Sequence, residues 1–380
     1  MPNNIAVVIP KYGLIGGAEQ YAAELTGTLC SRHHNTFQVF ANRWQSDSNM
    51  VKFHKIPIIS FPKFLTTISF AWFVQRQLLK KNFSLVHSHE RIYAADIFTL
   101  HGIPHKYWVR HVRNKTMSLY DMATDWMERK LVYEGGCRKF IAVSNLTRDI
   151  FLQEYPINAD RVVVIHPGVN LDTYEQKKSF DVRNTIRQRL GIAPADPAII
   201  FASMNFEIKG LDNIIFSLAH LKKQKVHFKL IVAGKGNIHK YLKIAQHAQI
   251  ADDIIFTGPV SKDKLIELYL AGDLYMMLSK FDTFGMVVLE AMAARLPVII
   301  SSHVGAKDLV QEGDNGFVVG DTSDYRNIVS KLKILFDENI RKRMSAAAYQ
   351  TASQHTWDMI AQKYQELYVD ILAEKSKQTR

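Results

Sequence analysis

Two carboxylates, Asp282 and Glu290, bracket a single glycine in Asp282-Thr-Phe-Gly285-Met-Val-Val-Leu-Glu290, with seven residues between them. The stretch follows an apolar run at 274–278 that reads as a strand. Residues 286–294 then read as a helix. Gly285 permits a tight turn and close backbone approach. The amides of Phe284, Gly285, Met286 and Val287 stand where a helix begins, so they offer donors to a phosphate, aided by the helix dipole. Asp282 precedes the helix and reaches a ligand at its tip, and Glu290 lies about one turn in. The same residues also read as plain structure, with Asp282 and Thr283 capping the helix and Glu290 on a solvated face.

Other candidates lie at the ends of predicted strands. Lys209-Gly210 follows the strand 198–203 and supplies a cation beside a turn, or else an ordinary surface lysine. The loop Gly13-Leu-Ile-Gly16-Gly17 joins the first strand to the first helix, and it is neither a Walker loop nor a GxGxxG fingerprint. His101-Gly102 ends the strand 97–100, where the imidazole bonds a ligand or serves packing. His87 and His89 read as supporting structure or as wall of an acceptor site. Lys235, in Gly234-Lys-Gly236, and Val260, after Gly258-Pro, are loop candidates that fit ordinary strand–helix turns equally well.

These residues need elements to hold them. Short apolar runs at 5–10, 37–41, 84–88, 97–100 and 140–144 alternate with helical patterns, beginning with 18–29. A second series has runs at 198–203, 228–233, 254–257, 274–278 and 298–301, with helices at 211–222, 262–270 and 286–294. Such alternation predicts α/β architecture with parallel sheets covered on both faces. His166-Pro-Gly-Val-Asn and the polar run 175–184 mark a boundary. The expectation is two Rossmann-like domains, 1–167 and 168–356, facing each other across a cleft at the carboxyl ends of their strands. A last helical pattern spans 357–375.

Composition excludes several classes. The 380 residues are 47% hydrophobic and 22% charged, a globular balance rather than a disordered or collagen-like one. Two cysteines, Cys30 and Cys137, form no CxxC motif, so neither a zinc ribbon nor a disulfide framework is expected. The amino terminus does not read as a signal peptide and no apolar run is long enough to span a bilayer, which predicts a cytoplasmic chain, soluble or peripheral on the inner face of the membrane. The net charge is +12. Residues 1–167 hold 20 basic and 12 acidic side chains. Basic residues interleave with aromatics at 52–81 and 106–115, which fits an anionic membrane surface, nucleic acid, or a buried aromatic face with solvated bases.

The acidic segment resembles the signature of retaining glycosyltransferases of family four, which have the GT-B fold. Their pattern is an acid, two residues, Gly, four residues, Glu and then small residues, and Leu296-Pro-Val-Ile-Ile-Ser-Ser-His-Val-Gly305 also fits it. The first acid is usually Glu; here it is Asp282. Pro10-Lys-Tyr with Gly16-Gly17, and Asn205-Phe with Lys209-Gly210, resemble the lipopolysaccharide-core glucosyltransferases of that family. The resemblance implies a donor domain holding a nucleotide sugar and an N-terminal acceptor domain onto which residues 357–380 pack back. It implies Glu290 on the ribose, Asp282 on the hexose, the 284–287 amides and Lys209 on the diphosphate, and Val260 and Lys235 near the base. Gly16, Gly17 and His101 would lie near the donor phosphate and the reacting sugar. No cofactor and no metal are implied. The expected partners are a nucleotide sugar and a glycolipid or oligosaccharide, not nucleic acid. A nucleotide-sugar 2-epimerase of the same fold and a basic nucleic-acid-binding protein are the competing readings.

Overall fold

The computed structural model describes residues 3–14, 16–33, 35–46, 49–177 and 180–378. Ile15 of the glycine loop and residues 178–179 of the polar run lie outside them. The chain divides into two compact units, Met1–Gly168 with Trp357–Arg380, and Val169–Thr356.

The first unit is built on a seven-stranded parallel sheet. Its order is Lys52–Lys55, Thr36–Ala41, Asn4–Val8, Leu85–Ser88, Ile97–Leu100, Lys139–Ala142, Val162–Val164. Ile5, Ala6, Val7 and Val8 are all buried, which explains why this strand is a continuous apolar run rather than an alternating one. Ile5 stands beside Phe37 on one flank and Leu85 on the other. Phe70 and Val74 from the helix Leu65–Leu78, and Met127 and Leu131 from Leu119–Tyr133, pack with Phe40, Phe98 and Phe140 of the sheet. The helix Trp357–Gln378 packs along Gly17–Arg32, where the Tyr21 and Tyr364 hydroxyls meet at 2.8 Å.

The second unit carries six parallel strands in the order Ile254–Gly258, Lys229–Gly234, Ala198–Ser203, Leu274–Met277, Val298–Ser301, Gly316–Val319. Its core joins Phe201, Leu230 and Met276 of the sheet to Leu218 of the helix Leu211–Lys222 and Leu332 of Tyr325–Phe336. Asp273 fixes the base of the two central strands. It accepts the Ala198 amide at 2.8 Å and pairs with Arg183 at 2.7 Å and Arg187 at 3.1 Å, which docks the helix Phe180–Arg189.

Both sheets are α/β and parallel, as the alternating pattern predicts. The strands Lys52–Lys55, Val162–Val164 and Gly316–Val319 lie outside the predicted set. Lys52–Lys55 is a sheet edge with both lysines exposed, so it lacks the apolar run that marks a central strand. It also divides the basic–aromatic stretch 52–81 between a strand and a helix, and Phe70 from that stretch is buried core. No helix among the described residues is long and apolar enough to cross a membrane.

Candidate active site

In the second unit the first strand, Ala198–Ser203, lies beside the fourth, Leu274–Met277. The connections from these two strands leave in opposite directions, which opens a crevice at their carboxyl ends. The two strongest motifs are the loops that follow these strands.

The first loop is shaped by its own polar groups. Asn205 Oδ1 accepts the Ile208 amide at 3.1 Å, and the Asn205 amide donates to Ser203 Oγ at 2.8 Å. Gly210 has φ +72°, and a Cβ there would lie 1.9 Å from the Leu278 carbonyl oxygen. Only glycine therefore lets this loop rest on the end of the neighbouring strand. The Ile208 carbonyl accepts the Lys280 amide at 2.7 Å and Ser279 Oγ at 3.0 Å. These bonds lock the Lys209 loop to the acidic segment.

The segment itself is clamped from its other side. The Asp282 amide donates to the His303 carbonyl at 2.9 Å, and its carbonyl accepts the Gly305 amide at 3.0 Å. Asp282 Oδ2 pairs with Lys209 Nζ, and Oδ1 accepts the Phe284 amide at 3.3 Å. Gly285, at φ +87°, is the N-cap of the helix Met286–Ala293, with no side-chain cap. The N-cap position itself thus makes no side-chain capping bond. Asp282 instead faces a cation, and Phe284 is not a spare donor, because Asp282 occupies its amide. Met286 and Val287 occupy the first turn, whose N–H groups have no acceptor within a helix.

Glu290 lies one turn into this helix and is half-buried rather than on a solvated face. The Tyr269 hydroxyl donates to its Oε2 at 3.4 Å. Burial, with the Glu290 charge adding to it, pushes the Tyr269 and Tyr174 phenols well above their ordinary range, so both remain donors. Sequence reasoning missed these two tyrosines. Tyr269 is 21 residues from Glu290, and no local spacing signals the contact. Lys235 is exposed in the turn after Lys229–Gly234, held by its amide on the Ser203 carbonyl at 2.9 Å. Val260 is half-buried just before Ser261, the N-cap of Lys262–Ala271. Both belong to strands farther toward the sheet edge than Lys209 and Asp282. Met204, just after its strand, is 58% exposed.

The first-unit candidates form their own group. Gly16 is the N-cap of Gly17–Arg32 at φ 155°, and Gly17 is exposed in its first turn. Tyr21 of that helix packs edge-on against His101, with ring centres 4.9 Å apart. His101 Nε2 meets His89 Nδ1 at 2.8 Å. His87 is fully buried, with Nδ1 2.7 Å from the Tyr368 hydroxyl and Nε2 2.8 Å from Thr99 Oγ1. Burial pushes His87 and His101 down to about 3, so both are neutral imidazoles near pH 7. Among the described residues no group of three or more His, Cys, Asp or Glu could hold a metal ion.

The arrangement suits a phosphate-bearing ligand. A lysine and helix-tip amides are set in one crevice, with a carboxylate at the tip and another a turn away. Two family models match the chain in succession, Glycosyltransferase Family 4 over residues 15–173 and Glycosyl transferases group 1 over 182–351. A D-inositol 3-phosphate glycosyltransferase of Streptomyces bingchenggensis is 27% identical over 250 residues, which is 63% of this chain and 54% of that protein. The chain spans about half the length of most of the curated relatives it matches. Among solved structures, WaaG, a glycosyltransferase involved in lipopolysaccharide biosynthesis, superposes with a TM-score of 0.79 at 19% identity, covering 96% of this chain and 99% of that one. Anabaena HepE, solved with UDP and glucose, gives 0.73 at 20%, covering 97% and 100%. At these identities the two structures establish a shared fold.

Proposed function

We propose that the chain, which the models of Glycosyltransferase Family 4 and Glycosyl transferases group 1 match in succession and which shares the GT-B fold, is a glycosyltransferase that moves a hexose from a UDP-sugar to a hydroxyl of a glycolipid or polysaccharide. An acceptor of the lipopolysaccharide-core kind and retention at the anomeric carbon complete the reading. The observation that carries it is the Lys209–Asp282 pair beside the glycine-turned start of Met286–Ala293. Glycosyl transfer builds negative charge on the departing diphosphate. Fixed donors at that place stabilise the transition state more than the ground state. Lys209 and the Met286 and Val287 amides take that role. Asp282 faces the hexose hydroxyls, and Glu290, oriented by Tyr269, accepts from the ribose. In a front-face route the diphosphate oxygen takes the acceptor proton as the glycosidic oxygen leaves, so no covalent enzyme intermediate forms. His101, a neutral imidazole, bonds a hydroxyl of the reacting sugar. The first unit supplies the acceptor-binding surface.

A thermal-shift and calorimetry panel tests the donor assignment, using UDP, GDP, UDP-glucose, UDP-galactose, UDP-N-acetylglucosamine and GDP-mannose. A ligand that binds only the folded state at a hundred times its Kd adds about 2.7 kcal/mol of stability. The expected result is stabilisation by UDP and one UDP-hexose, clearly reduced in Glu290→Ala at the same ligand concentration. Stabilisation by GDP alone would overturn the choice of base. No shift with any nucleotide would overturn the donor site.

A further inference from the structure

The proposed transfer leaves one buried imidazole unused. His89 is almost fully buried just past the strand Leu85–Ser88, and its amide donates to the Val8 carbonyl at 2.8 Å. Its Nδ1 lies 2.8 Å from His101 Nε2. The two ring centres are 5.1 Å apart and the planes differ by only 19°. Rings laid face to face cannot bring two nitrogens within hydrogen-bond distance. The pair therefore meets edge to edge, with the lone pair of one nitrogen turned to the N–H of the other.

The far side of His89 decides which ring supplies that N–H. His89 Nε2 is buried with no hydrogen-bond partner among the described residues. His87, 4.3 Å away between ring centres, gives it none, because its own two nitrogens meet the Tyr368 and Thr99 hydroxyls. Burial holds all three imidazoles neutral near pH 7, so each carries a single N–H. If His101 donated from Nε2, His89 would hold its proton on Nε2 as a buried donor with no acceptor. An orphaned buried N–H is the rarer defect in folded proteins, and an under-satisfied acceptor is better tolerated.

We infer that His89 fixes the tautomer of His101: His89 Nδ1 donates to His101 Nε2, so His101 carries its proton on Nδ1 and meets the reacting sugar as a donor. The inference rests on the placement of His101 at that sugar proposed above. A neutral N–H bonds a hydroxyl oxygen without setting a positive charge beside a sugar that itself becomes cationic in transfer. His89 is thus a positioning residue, acting through the ring it holds. Tyr21 steadies the same ring from its edge, and Trp357 packs edge-on against Tyr21 with ring centres 5.2 Å apart.

Imidazole nitrogen NMR of the full chain tests it, with the His101 signals identified by their loss in His101→Gln. The native spectrum should show His101 protonated on Nδ1 and bare on Nε2. His89→Asn keeps an N–H donor at the position of Nδ1 and should keep that tautomer. His89→Leu removes the donor and should move His101 toward the Nε2 tautomer. Release of UDP from UDP-glucose separates positioning from packing. Its kcat should fall at least about threefold in His89→Leu, with KM for UDP-glucose little changed, and recover in His89→Asn. Circular dichroism establishes that each variant is folded, and the native spectrum decides if the leucine variant is not. A native His101 protonated on Nε2, an unchanged tautomer in folded His89→Leu, or a shifted tautomer with unchanged kcat would each overturn the inference. A native chain that releases no UDP while His101 is protonated on Nδ1 would count against the transfer reading, with the tautomer assignment upheld.

Discussion

Lys209 keeps its ammonium against the Asp282 carboxylate, so a diphosphate approaching the lysine competes with that carboxylate for it. Glu290 is held differently, by a neutral phenol from Tyr269 and by its place inside the helix. The two residues should therefore fail in different ways. Lys209→Ala removes charge stabilisation that grows in the transition state, so kcat should fall by about 10²–10³ with a smaller change in donor KM. Glu290→Ala removes a charge-assisted hydrogen bond to the bound nucleotide. Donor affinity should weaken by about 1.5–3 kcal/mol, roughly ten- to a hundredfold, with kcat less affected. Steady-state kinetics with donor varied at fixed acceptor separates the two, and a matching loss in both variants would refute the division of labour.

At the scale of elements, the site is a consequence of two loops that only glycine allows. Gly210 lies on the Leu278 carbonyl and Gly285 turns into a helix at positive φ. Gly210→Ala adds about 1–2 kcal/mol of backbone strain, and its Cβ also meets a main-chain oxygen that cannot rotate away. The Lys209 loop should lift from the strand end, weakening nucleotide binding at least about tenfold while the second unit stays folded. Calorimetry with circular dichroism reads both, and unchanged affinity would show that the loop's contact with Leu278 is dispensable. Sequence reveals such loops well, because Gly210 and Gly285 follow apolar runs buried on both faces. It also singles out Lys209, Asp282 and Glu290 as candidates, since motif spacing is local. It does not reveal that Asp282 takes Lys209 as a partner, nor that Tyr269 and Tyr174 stand beside Glu290. Those contacts are made across the sheet and its loops, between residues with no shared periodicity. The edge strand Lys52–Lys55 escapes for a related reason: with exposed lysines at both ends and its inner residues only half-buried, it never becomes an apolar run.

At the scale of the whole molecule, the last helix is keyed into the first unit through a buried polar chain. Tyr364 bonds Tyr21, and Tyr368 bonds His87. An unfolded histidine gains its proton near pH 6.5, whereas His87 in place gains it only at about 3. Between those values the unfolded chain holds the extra proton, so stability rises with pH. The contribution is complete above about 6.5 and is lost on acidification toward 3, at about 1.4 kcal/mol per pH unit for this one group. Urea midpoints measured from pH 7.5 down to 5 should fall more steeply in the native chain than in His87→Gln. Parallel slopes would mean that another group governs the acid sensitivity.

The same helix has a consequence for how the protein is made. The first unit contains residues from both ends of the chain. A ribosome that has delivered Met1–Gly168 has supplied all seven strands of the sheet, but the Tyr21 hydroxyl and His87 Nδ1 still await Tyr364 and Tyr368. Val169–Thr356 is contiguous and can close as soon as it emerges. The order of completion is therefore the reverse of the order of synthesis: the second unit finishes first, and the first unit is sealed only when translation has released Tyr364 and Tyr368.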